Sequence, residues 1–164
     1  MNHSLPILIG IGSNEQPERA VRQAEQALRD AFGELTLSRF LRTTPLDGRG
    51  PDYLNAVALV YSDKTPAELN TLLKAIEDRL GRQRRQPADA IPRIAIDLDL
   101  LLVGDICDDS LKLPAAELTE RPFCLFPAAE LLPEWRHPRH HATLRQLAEQ
   151  AQADKNSTSG YPLS

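Results

Sequence analysis

Cysteine is nearly absent: Cys107 and Cys124 are the only two in 164 residues, and no CxxC spacing occurs. Their neighbours are aliphatic or acidic, which excludes a disulfide-built scaffold and reads as two reduced thiols in a reducing compartment. No stretch approaches the roughly 18 apolar residues of a membrane helix. The apolar patch in the opening "MNHSLPILIGIGSN" is too short and too broken by glycine for a signal peptide, so a cytoplasmic protein without a membrane partner is expected. A basic excess is missing too. The net charge of -4 offers no general attraction to nucleic acid. "GIGSN" at 10–14 lacks the third glycine of GxGxxG and the lysine of a P-loop, so both of those phosphate-binding designs are excluded. It reads as a strand-ending turn.

What is present suits one globular domain. Apolar residues make up 41% and charged residues 26% of a chain long enough to bury a substantial core. Residues 1–153 are expected to form that domain and 154–164 a flexible tail. "LPILIGI" (5–11) predicts a buried strand, and residues 17–32 a helix with Pro17 at its first position and Gly33 as its stop. "LTLSRFLRT" (35–43) alternates as a second strand, and "YLNAVALVY" (53–61) predicts a third. The next helix is the best marked. Thr65 is its cap, Pro66 its first turn and Glu68 the partner in a capping box; Leu69, Leu72, Leu73, Ile76 and Leu80 share a face, and Gly81 ends it. A basic loop then leads into a strand at 94–103. The order is β-α-β-β-α-β, the split βαβ pattern of ferredoxin-like folds. Beyond Gly104 the chain is punctuated by proline, with a weak helix expected around Leu144–Ala151.

The strand "IAIDLDLLLV" carries two acids in an otherwise aliphatic run. Residues i and i+2 share a face, so Asp97 and Asp99 point the same way with Cα atoms about 6.5–7 Å apart, while Ile94, Ile96, Leu98 and Leu100 point into a core. Two carboxylates on one face repel unless a cation lies between them, and Mg²⁺ takes such oxygen ligands beside bound phosphates. An edge strand whose polar face discourages aggregation is the other reading. Just ahead, Arg79, Arg82, Arg84, Arg85 and Arg93 stand against one acid, Asp89. A solvated helix end would explain them through the dipole. A phosphate clamp would explain them through bidentate guanidinium contacts. Acids and arginines together point to phosphoryl transfer, where catalysis is mostly positioning and charge neutralisation.

"HPRHH" sets His137, His140 and His141 at loose metal-like spacing, but no cysteine or acid completes a site, so a solvated loop is expected. Tyr53 and Phe123 suit either a core or stacking on a planar heterocycle.

Taken together, "GIGSN", "RTTPL", "PDYLNAVALV", "IEDRLGRQR", "PRIAIDLDLLLVGD" and "LPAAELTERPFCLFPAAELLPE" resemble the 6-hydroxymethyl-7,8-dihydropterin pyrophosphokinase family over about residues 7–135. The resemblance implies a monomeric α/β (α+β) protein, a three-layer α-β-α sandwich on a ferredoxin-like βαββαβ core. It implies transfer of the β,γ-pyrophosphate of ATP to the pterin hydroxymethyl group, leaving AMP, in folate biosynthesis. Asp97 and Asp99 would hold two Mg²⁺ ions and, with Arg82 and Arg93, form the catalytic set. Thr43, Thr44, Leu46, Tyr53, Asn55 and Phe123 would bind the pterin. Lys74, Glu77, Arg82, Arg84, Arg93 and Arg121 would bind ATP. The chain departs from the family in three places: the loop before the acids has no tryptophan and one extra residue between Arg93 and Asp97, Ala115 stands where a histidine is usual, and Lys74 where a glutamine is. A weakened paralogue that only binds pterin or nucleotide, or an interaction-only ferredoxin-like domain, would keep the same fold.

Overall fold

The computed structural model describes residues 4–45, 47–81 and 94–157. Leu46, Arg82, Arg84 and Arg93, all expected in the site, lie outside them. The chain runs β1 (Leu5–Ser13), α1 (Pro17–Phe32), β2 (Thr36–Leu37), β3 (Leu41–Thr43), β4 (Tyr53–Ser62), α2 (Pro66–Arg79) and β5 (Asp97–Val103). A 3₁₀ turn (Asp109–Leu111), α3 (Glu117–Glu120), α4 (Pro122–Leu131) and α5 (Leu144–Ser157) follow. No helix among these residues is long and apolar enough to cross a membrane.

The sheet is antiparallel in the order β2-β4-β1-β5, with β3 also paired to β4. This is the ferredoxin-like arrangement, because β2 and β3 together fill the place of its second strand. The sequence predicts one strand there. It is broken because the register to β4 slips by a residue between Leu37↔Ala58 and Leu41↔Asn55. Ser38 makes the break tolerable: its N–H donates to Val57 O, and its hydroxyl oxygen accepts from Val57 N at 2.8 Å, standing in for a ladder carbonyl.

The strand period of two sends β1 side chains alternately to opposite layers. Ile7, Ile9 and Ile11 pack with Ala24, Leu28, Leu69, Leu73 and Ile76 of α1 and α2. Leu8 faces the other way, toward Ala115, Leu118, Cys124, Ala128 and Leu144 around α3, α4 and α5. Sheet and two helical layers make the three-layer sandwich. Each fully buried aliphatic side chain of these layers contributes about 1.5–3 kcal/mol.

α2 begins as its capping box predicts, with Glu68 N donating to the Thr65 hydroxyl and Thr65 N to Glu68 Oε1. Gly33 and Gly81, at φ of +84° and +96°, end α1 and the turn after α2 in the left-handed region that favours glycine. The C-terminal helix is longer than the pattern suggests and reaches Ser157.

Candidate active site

The centre of the sheet opens as a cleft on the side covered by α3 and α4. β1 supplies its floor. Gly10 and Gly12 face this layer, opposite Asp99 and Asp97 on β5 and Val57 and Asn55 on β4. Side chains would close the floor: a Cβ on Gly12 would come within 3.2 Å of Asn55 Oδ1, and one on Gly10 within 3.4 Å of Leu101. "GIGSN" is therefore less a turn than a strand end, which corrects the sequence reading. Its last two residues clamp the entry to β5. Ser13 Oγ donates to Ala95 O at 2.8 Å, Asn14 N donates to Ile94 O, and Ile94 N donates to Asn14 Oδ1 at 2.6 Å.

That clamp aims the acids. Asp97, Asp99 and Leu101 line a cavity of about 530 Å³, while Ile96, Leu98 and Leu100 are buried beneath the strand. Ile94 does not join them, contrary to the alternating pattern: β5 starts only at Asp97, and Ile94 lines the cleft. On the opposite edge of β5, Glu77 of α2 is buried and its Oε2 accepts from Leu98 N at 2.7 Å. A strand edge that would otherwise present an unpaired N–H between the two aspartates is thus fixed by a carboxylate.

The far wall is built from β3, β4 and the loop after β3. Thr43, Thr44, Pro45, Tyr53 and Asn55 line the cavity, and Asn55 Nδ2 donates to Thr43 Oγ1 at 2.7 Å. That bond fixes how the amide faces the floor. From α4 come Phe123, half-buried at the cavity wall, and Cys124; Arg121 stands at the N-terminal end of the helix. Tyr53 and Phe123 are thus cavity residues, and Phe123 also packs against the core. Thr43, Thr44, Tyr53, Asn55, Asp97, Asp99, Arg121 and Phe123 share one cavity. Glu77 does not line it, and bonds the backbone of β5 between the two aspartates instead. Lys74 lies on the exposed face of α2 and lines none of the cavities described here.

Solvent in the cleft reaches Asp99, yet its carboxyl is pushed up to about 8. Burial by the cleft walls is the largest cause, followed by the charge and hydrogen bond of Asp97 and the charges of Glu117 and Glu77. Among the described residues lining the cleft, Asp47, Asp97, Asp99 and Glu117 outnumber Arg49 and Arg121. Among the described residues no three His, Cys, Asp or Glu side chains converge as a metal cage. Two aspartates fit a hard cation that takes its remaining ligands from phosphate and water, as Mg²⁺ does. Cys124 is no nucleophile, because burial and the charges of Asp99 and Glu117 push its thiol up to about 12.

A second cavity, of about 470 Å³, adjoins the first across Asp99 and Glu117, which line both. Leu111, Leu113, Ala115 and Ala116 supply its apolar lining, and Asn70 of α2 a polar one.

The three histidines do not converge as a metal cage, and the loop is not wholly solvated as the sequence suggests. His137 is 2% exposed, and its Nδ1 accepts from the N–H groups of Arg139 and His140 at 3.1 and 3.2 Å. A histidine used as a turn cap leaves no composition signal to read.

Residues 8–133 match the family model described as 7,8-dihydro-6-hydroxymethylpterin-pyrophosphokinase (HPPK). A Synechocystis 2-amino-4-hydroxy-6-hydroxymethyldihydropteridine pyrophosphokinase is 34% identical over 87% of this chain and 74% of its own length. The Pseudomonas aeruginosa protein of the same name is 35% identical over 80% and 83%. Among solved structures, a Plasmodium falciparum HPPK-DHPS in complex with STZ-DHP superposes with a TM-score of 0.76 at 11% identity, covering 98% of this chain and 48% of that one. The chain thus spans about half the length of that protein, and the likeness shows the fold. With the family model covering most of the sheet and both cavities, the chain belongs to the 7,8-dihydro-6-hydroxymethylpterin-pyrophosphokinase family.

Proposed function

We propose that this protein transfers the pyrophosphoryl group of ATP to the hydroxymethyl oxygen of 6-hydroxymethyl-7,8-dihydropterin, releasing AMP. The observation that carries the reading is two cavities meeting at one aspartate. A transfer between two substrates needs both reacting ends at one place, and Asp99 is the wall that the cavities share.

The first cavity suits the pterin. Asn55 and the Thr43 hydroxyl offer polar contacts to a heterocycle edge, while Tyr53 and Phe123 offer flat faces. The second suits the nucleotide, with its phosphates at Asp99 and its nucleoside toward Leu111 and Ala115. Asp97 and Asp99 would hold Mg²⁺, two ions by family pattern. A bound divalent ion neutralises phosphate charge and polarises the transferred group.

This chain's own residues hold and orient. Asn55 and Thr43 set the pterin so that its hydroxymethyl group faces the aspartates. Arg121 adds positive charge at the cavity wall as negative charge builds on the phosphates. Glu77 and the Ser13–Asn14 clamp keep β5 from drifting. Arg82, Arg84 and Arg93 would act from the basic loop, and Leu46 from the pterin loop.

AMP release from ATP and the hydroxymethyl pterin in the presence of Mg²⁺ is the test. Wild-type protein is expected to turn over, and Asp97→Asn and Asp99→Asn each to lose about a hundredfold or more in rate with the thermal midpoint held. Normal turnover in both variants would remove the aspartates from the mechanism.

A further inference from the structure

The cavity assigned above to the nucleotide receives one side chain from outside the segment that matches the family. Arg139 lines it, beyond the matched residues 8–133. The side chain arrives from the turn between α4 and α5, and that turn is firmly built. His137 N donates to Ala142 O, His141 N to His137 O, and the buried His137 ring accepts the N–H groups of Arg139 and His140. Arg136 Nη1 donates to His141 O and closes the turn from outside. Arg139 is thereby aimed across the surface, where its Nη2 donates to Leu113 O at 3.2 Å and pairs with Asp109.

Charge at this wall needs such a residue. Asp99, Asp109 and Glu117 line the cavity, and the described cations that line it with them are Lys112 and Arg139. A nucleotide entering there meets more acid than base. The Asp109 pair does not bar a ligand: Asp109's side chain is 92% exposed and Arg139's 44%, so the pair is solvent-screened and worth little. Arg139's carbonyl partner, Leu113, lines the same cavity together with Leu111, Ala115 and Ala116. A planar guanidinium at an apolar recess can stack on a heterocyclic base or donate to its ring nitrogens and to a ribose oxygen.

We infer that Arg139 is a nucleotide-binding residue of this chain, contacting the nucleoside end of ATP from the α4–α5 turn. The inference rests on the second cavity being the nucleotide site.

Steady-state kinetics on full-length protein, with ATP and the hydroxymethyl pterin varied separately, test it beside binding of a non-hydrolysable ATP analogue. Arg139→Gln is expected to raise the KM for ATP and the analogue's dissociation constant about tenfold, the loss of one charge-assisted contact. The KM for the pterin and the thermal midpoint should stay put. Arg139→Lys, which keeps charge but not the fork, is expected between the two. Asp109→Asn removes the ion pair together with one acid of the cavity wall, and should leave the KM for ATP no higher than in wild type.

An unchanged ATP response in Arg139→Gln overturns the inference. So does a parallel shift in both KM values with a lowered midpoint, or an Asp109→Asn variant that reproduces the Arg139→Gln defect, since each makes the residue merely structural. A wild-type protein that binds the analogue but makes no AMP sinks the catalytic reading and leaves Arg139 testable by binding. One that binds no nucleotide sinks both.

Discussion

Asp99 and His137 are both titratable groups whose surroundings oppose their charge, and they serve different ends. Around Asp99 the opposition comes first from burial and then from neighbours of like sign, chiefly Asp97, and a cation brought by substrate would relieve the second of these. Around His137 it comes first from burial, then from the charges of His140 and Arg139, which together hold the ring down to about 4. No cation relieves that. Its Nδ1 is already an acceptor for two backbone N–H groups, and a proton there would break both bonds.

The sign follows. A histidine whose folded value lies near 4 and whose unfolded value is 6.5 contributes fully above pH 6.5, and its contribution is lost as pH falls from there toward 4, because only the unfolded chain takes the proton in that window. The thermal midpoint should therefore drop between pH 7 and pH 5, and drop less in His137→Gln, even though that variant starts lower. A His137 NMR titration midpoint near 6.5 would contradict the idea.

At the scale of elements, β5 is the piece on which the site depends. Among the described residues it is an edge strand, and no further strand there pairs with its outer N–H groups. Glu77 takes the one at Leu98, between the two aspartates. Glu77→Ala leaves that buried donor without its carboxylate, and the expected cost is about 1–3 kcal/mol in urea unfolding. Glu77→Gln keeps an acceptor and should lose less. Activity should fall further than stability in the alanine variant, since the strand carries Asp97 and Asp99. Equal urea midpoints for wild type and Glu77→Ala would show that the bond does not anchor the strand.

The first two helices were legible because their signals are local. Pro17 and Gly33 bracket α1, and Thr65, Glu68 and Gly81 bracket α2, all within the turns they control. The breaks in the strands were not legible. Ser38 interrupts its strand by accepting from Val57, nineteen residues on. In β5 the register to β1 slips beside Leu101, so Leu101 and Leu102 face the same layer and the alternation resets. No property of "DLDLLLV" distinguishes one leucine there from the next.

For the whole molecule, substrate is expected to act as a structural element. Its two cavities meet over a sheet whose acids repel, so binding there should stabilise the fold by mass action. Mg²⁺ with the non-hydrolysable ATP analogue at about 100 times its dissociation constant should add about 2.7 kcal/mol. The rise in thermal midpoint should vanish when a chelator removes the ion. A rise that persists without the ion would place the nucleotide away from Asp97 and Asp99.

The sequence by itself determined the order of elements, the shared face of Asp97 and Asp99, and the family, because helix caps, strand period and motif spacing are written along the chain. The tertiary structure decided which residues meet those acids. Gly10 and Gly12 became a floor only when β1 lay between β4 and β5. Glu77 turned to the strand backbone rather than to open solvent, His137 became a buried cap, and Arg139 reached a cavity from beyond the matched segment. Each depends on contacts between residues distant in the chain, whose geometry no local pattern encodes.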